Sequence, residues 1–165
     1  MLSQAKKKTV SRKKAKAKAV VYLREVELRY RKRKVTDAAA IGKPIKAAKQ
    51  VVDLFADLQN EAKEKLLTIH LDTKNRILCF EAIAMGSLNA IYMRPMEVFR
   101  TSFPVNAHGA IVVHNHPSGD PRPSANDKAL TKTLARMADD MGLSFDDHII
   151  IGAGRYYSFA EHGLL

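Results

Sequence analysis

Two histidines, a serine and an aspartate fall within fourteen positions of this chain, His114 to Asp127, and their spacing limits what can be built around them. The apolar run Ala110-Ile-Val-Val113 leading into His114 reads as a buried strand. Residues i and i+2 of a strand face the same side, so His114 and His116 project together. Pro117 has no N–H to give to a ladder and stops the strand. The loop Ser118-Gly-Asp-Pro-Arg-Pro123 then turns the chain back and delivers Ser124 and Asp127 to the first turn of a helix. Strand, tight loop and helix start would thus converge on one point. Two imidazoles and a carboxylate make three ligands, and a zinc ion held by three protein ligands keeps its fourth tetrahedral position open for water, as catalytic sites do.

Either half alone would be ordinary. A lone His-x-His is most often a surface or core pair, and Ser124-x-x-Asp127 alone is a capping box with an acid in the first turn. Joined as His-x-His-x7-Ser-x2-Asp across a short Pro/Gly loop, they point to a metal site with His114, His116 and Asp127 as ligands. The capping and ligating roles are compatible, because Asp127 can use a different oxygen for each.

The same string resembles the JAMM (JAB1/MPN/Mov34) metalloenzymes. His114-Asn-His-Pro-Ser-Gly-Asp120 with Pro123-Ser124 and Asp127 is similar to the RadC branch in particular. Leu71-Asp-Thr-Lys-Asn-Arg76, Arg94-Pro-Met-Glu-Val-Phe99, Asp147-His-Ile-Ile-Ile-Gly152 and Ser158-Phe…Gly163 extend the resemblance over roughly residues 50–165. It implies a curved mixed sheet flanked by helices, one Zn2+ per chain, and hydrolysis of a peptide or isopeptide carbonyl. It also implies two catalytic residues. A glutamate before the sheet strand aligns with Glu64, and Ser124 would donate to a developing oxyanion or steer the water. Spacing alone reads Glu64 as a solvated acid between Lys63 and Lys65, with Glu61 and Glu81 as alternatives. The resemblance brings a traditional DNA-repair label as well. The 49 residues upstream are too few and too basic for the helix-hairpin-helix region of full-length RadC proteins, so the chain resembles the short RadC-like forms.

The charge is unevenly spread. Of the net +11, residues 1–34 carry +12, from 14 Lys/Arg against Glu25 and Glu27, and the remainder is nearly neutral at −1. Residues 1–19 read as a basic, disordered tail. Residues 20–49 read as a strand at Val20–Tyr30, a basic cluster and a linker into the first helix. Residues 50–165 read as the motif-bearing domain. The length suits one compact domain plus an appendage. The longest apolar run falls well short of a membrane span. No apolar stretch follows the basic start as a signal peptide requires. One cysteine, Cys79, suits a reducing, cytoplasmic setting and reads as a small buried hydrophobe.

Hydrophobic spacing predicts a helix opened by Pro44 with Ala48, Val51, Val52, Phe55 and Leu58 inward, a hairpin of strands 66–71 and 76–85, and a helix over 95–102. It further predicts the strand 110–114, a helix over 124–141, and last strands at 144–151 and 155–159. That mixture is an α+β fold with a mixed or antiparallel sheet. His70, His108, His148 and His162 are assigned no metal, with His148 held as the reserve.

Three functions compete. The first is a zinc hydrolase acting on a protein or peptide substrate. The second is a nucleic-acid-associated protein, in which Arg31, Lys32, Arg33 and Lys34 and the rest of residues 1–34 contact phosphates non-specifically. Few aromatics interleave with these bases, so stacked or sequence-specific binding is not indicated. The third is a scaffold that keeps the fold without the chemistry.

Overall fold

The computed structural model describes Leu23 and residues 26–33, 40–86 and 94–165. The chain divides into two units, residues 1–30 and 31–165.

In the first unit the strand expected over 20–30 is not formed by the residues that are described. Val26, Leu28 and Tyr30 are exposed and lie outside any ladder. Alternating side chains give a strand its faces, but its N–H and C=O groups still need a neighbouring strand. Positions 20–22, 24 and 25, the tail 1–19 and Lys34 fall outside the described residues.

The second unit is built on a five-stranded sheet. Its strands are β1 (Glu64–Leu71), β2 (Ile77–Gly86), β3 (Gly109–Asn115), β4 (Ser144–Ile151) and β5 (Tyr156–Ser158), in the order β2-β1-β3-β4-β5. β1 runs antiparallel to both β2 and β3, β3 is parallel to β4, and β4 is antiparallel to β5. The sheet is therefore mixed, with helices on both faces, as the α+β reading requires. The β1–β2 hairpin turns at Asp72–Asn75. There the Asp72 carboxylate accepts from the Lys74 and Arg76 amides and from the Arg76 guanidinium. Arg76 holds that carboxyl at about 2.

Two cores lie on opposite faces of the sheet. Leu67, Ile69, Leu71, Val113, Ile149 and Ile151 face α1 (Ala48–Leu54) and the 3-10 turn Ala56–Asn60. Leu66, Ala110 and Val112 face α2 (Met96–Phe99) and α3 (Ala125–Asp140), where Val98, Phe99, Leu134 and Ala138 are buried. Being covered on both faces is why β3 is buried at every position.

Helix boundaries depart from the periodic pattern. Pro44 bridges to Arg76, and α1 starts only at Ala48, where the Gln50 side chain accepts from the Lys46 and Ala47 amides. The helix ends before Phe55, which turns to pack edge-to-face on Phe80 at 5.0 Å. α2 is four residues long rather than eight. Ser102 faces inward, its Oγ 3.0 Å from His70 Nδ1, and its carbonyl accepts the Ala107 amide, while Pro104 lacks the N–H that another turn needs.

Candidate metal centre

Three side chains meet at the end of β3. His114 Nε2 lies 3.1 Å from His116 Nε2 and 3.3 Å from Asp127 Oδ1, and His116 Nε2 lies 3.5 Å from Asp127 Oδ2. In a tetrahedron with bonds of about 2.0–2.1 Å, ligand atoms stand about 3.3–3.4 Å apart, so the spacing suits a zinc-sized ion. Among the described residues this is the one group of three or more His, Cys, Asp or Glu able to hold a metal ion.

Each ligand is aimed by its own hydrogen bonds. His116 Nδ1 lies 2.8 Å from the Asp120 carbonyl, which can only accept, so Nδ1 carries the proton and Nε2 keeps its lone pair. Ser124 caps α3: its Oγ accepts the Asp127 amide, and its own N–H and O–H donate to Asp127 Oδ2 at 2.7 and 2.6 Å. Asp127 Oδ1 is left buried with no hydrogen-bond partner. Buried oxygens are rarely left so, and an orphaned carboxylate oxygen facing an imidazole nitrogen, His114 Nε2, suits a cation. The donor set of two imidazoles and one carboxylate fits zinc and several other divalent ions.

The electrostatics agree. Burial acts to raise the Asp127 carboxyl, but the His114 and His116 rings beside it and the hydrogen bonds from Ser124 outweigh it and hold the group far below the carboxylate range. The Asp127 carboxylate beside it raises His116 against its burial, helped by the Asp120 carbonyl and the charge of Glu64.

Beside these ligands lies a cleft of roughly 380 Å³ lined by Glu64, His116, Pro117, Ser118, Ser124 and Asp127 among others. Glu64 opens β1, on the strand face that carries Leu66, and Leu66 pairs with His114. The alternative glutamates lie elsewhere. Glu61 pairs with Lys65, and Glu81 faces Arg100 Nη2 at 3.3 Å and His70 Nε2 at 3.8 Å.

Two residues without an assigned site role in the sequence touch this geometry. Asn115 points away from its flanking histidines. Its amide accepts the Lys65 N–H at 2.8 Å and donates to the Glu61 and Lys63 carbonyls, bracketing Glu64 on both sides. His148 is fully buried, stacked on Phe159, with Nε2 2.9 Å from His114 Nδ1 and Nδ1 2.7 Å from Thr131 Oγ1. The matched string Asp147-His148 was the available signal, but its partner lies on another strand. His70, His108 and His162 contact none of the three ligands, and Arg31, Lys32 and Arg33 are exposed, Arg33 standing 5.7 Å over the Phe80 ring.

The RadC-like JAB domain family matches residues 45–164. The chain belongs to that family. The RadC-like domain is 43% identical over 112 residues to a UPF0758 protein of Methanosarcina mazei, covering 68% of this chain and 49% of that one. It is 42% identical over 126 residues to a UPF0758 protein of Pelodictyon phaeoclathratiforme, covering 76% and 57%. To a UPF0758 protein of Aquifex aeolicus it is 34% identical over 121 residues, covering 73% and 52%. The chain spans about half the length of these curated relatives. Among the described residues, no helix of the RadC-like chain is long and apolar enough to cross a membrane.

Proposed function

We propose that this RadC-like domain is a zinc-dependent hydrolase of the JAMM type, cleaving a peptide or isopeptide bond. The observation that carries the reading is the meeting of His114 Nε2, His116 Nε2 and the orphaned Asp127 Oδ1 at the edge of a cleft that Glu64 also borders. Zinc held there supplies Lewis acidity and lowers the pKa of water to about 7.

The chain's own residues do the rest. Glu64 collects the proton of the attacking water and returns it to the leaving amine, a role one carboxylate can fill twice. Ser124 orients Asp127 through Oδ2, so that Oδ1 faces His114. Re-aimed toward the cleft, the same hydroxyl would donate to the oxyanion. The test is a screen of peptide and isopeptide substrates with zinc-loaded wild type and Glu64→Gln. The expected result is turnover in the wild type, a loss of about 100-fold or more in the variant, and unchanged zinc content in both. Equal turnover in the two would remove Glu64 from the mechanism.

A second reading rests on charge. The +12 of residues 1–34 supports non-specific contact with nucleic acid, to which the exposed Arg31, Lys32 and Arg33 would contribute with Lys34.

A further inference from the structure

The hydrogen bonds behind His114 form a single chain whose direction can be read from one end. The Thr131 hydroxyl lies 2.7 Å from the main-chain carbonyl of Asp127 and 2.7 Å from His148 Nδ1. Each of those contacts needs one proton between its heavy atoms, and the hydroxyl has one to give. A carbonyl cannot donate, so the Thr131 proton goes to Asp127. The proton in the second contact must then come from His148, on Nδ1. His148 is fully buried, and its two nitrogens meet Thr131 and His114, neither of them an anion, so the ring is uncharged. A neutral ring with its proton on Nδ1 has a lone pair on Nε2. That nitrogen stands 2.9 Å from His114 Nδ1, so the proton in the third contact belongs to His114. His114 Nε2 is then left unprotonated, facing His116 and Asp127.

We infer that His148 and Thr131 are positioning residues for the metal centre: the relay Asp127 carbonyl–Thr131–His148 fixes His114 in the Nδ1–H tautomer, which alone presents Nε2 as a metal ligand. The inference rests on the metal-site reading above and deepens it. It ties the ligands together, because the helix turn that carries Asp127 also supplies the acceptor that sets the tautomer of His114, thirteen positions earlier. β3 and β4 make this possible. Their parallel register sets His148 opposite Val112, on the sheet face that β3 shares with His114, and α3 lays Thr131 over it. Outer hydrogen bonds of this kind hold a ligating imidazole in orientation and raise its basicity.

The test reads tautomers and metal affinity separately. Proton–nitrogen correlation spectra of the metal-free, histidine-labelled full chain should show Nδ1–H on both His114 and His148. In Thr131→Val, an isosteric change, His148 loses its acceptor. Nε2–H forms of His148 and His114 should then appear, and zinc affinity in competition with a chelator should fall by about ten- to a hundredfold. Thr131→Ser should restore both. Nε2–H on His114 in the metal-free wild type would overturn the inference, as would a Val variant with wild-type tautomers and zinc affinity. A wild type that shows the expected tautomers but takes up no zinc would uphold the relay and overturn the metal-site reading.

Discussion

Asp127 divides its two oxygens between structure and chemistry. Oδ2 takes the Ser124 N–H and O–H, and Oδ1 is buried and turned to His114. Ser124→Ala removes the hydroxyl that caps α3 and steadies Oδ2. It should cost about 0.5–2 kcal/mol of stability in denaturant titration and weaken zinc binding in chelator competition; a destabilised variant with unchanged zinc affinity would confine Ser124 to the cap. His70 supplies a pH dependence away from the metal. Burial lowers its pKa from 6.5, opposed by the nearby Glu81 carboxylate. The unfolded chain therefore binds a proton at this residue that the folded chain refuses, and stability falls as pH drops from 6.5 toward the lowered folded value, then levels off. Against His70→Gln, the wild type should lose up to about 1.4 kcal/mol per pH unit in that window. Parallel curves for the two proteins would contradict it. The grouping of His114, His116 and Asp127 was legible because strand period, loop length and capping chemistry are all local. His148 and Thr131 were not, since their contacts to the triad are set by strand register and helix placement.

At the scale of elements, the connections into the metal centre are short and made by main chain. His116 N–H donates to the Ile151 carbonyl, and Ala153 N–H to that of Gly119, so the loop after β3 is tied to the β4–β5 turn. A Cβ on Gly152 would stand 2.4 Å from the Gly119 carbonyl oxygen, closer than atoms pack. Gly152→Ala should therefore displace the loop between His116 and Ser124 and lower zinc affinity; an unchanged affinity would show that the loop can yield without moving the ligands. Asn115 does the corresponding work on the other side, holding the start of β1 through Lys65, Glu61 and Lys63. Asn115→Ala should cost about 1–3 kcal/mol and lower turnover more than zinc content, if Glu64 is the proton carrier. Hairpin and strands were readable from alternation and from Asp72-Thr-Lys-Asn75. The ends of α1 and α2 were not, because Phe55 and Ser102 answer to Phe80 and His70, residues of other elements.

Across the whole molecule, a mixed sheet covered on both faces brings one strand end, one helix start and the start of a neighbouring strand to the same cleft. The fold and family could be anticipated because the motif is specific. The strand expected over 20–30 is not formed by its described residues, since alternation carries no information about a partner. The uneven charge makes a separate prediction. DNA binding by the full chain should weaken steeply with added salt and disappear on deletion of residues 1–34, as phosphate neutralisation requires; binding retained without them would place any contact on the nearly neutral remainder. The claim on which the rest depends is the metal. Elemental analysis of the purified full chain, after zinc is offered, should find about one zinc per chain in the wild type and none in a folded Asp127→Ala variant. A folded wild type that takes up no metal, or an Asp127→Ala variant that keeps it, would contradict the account.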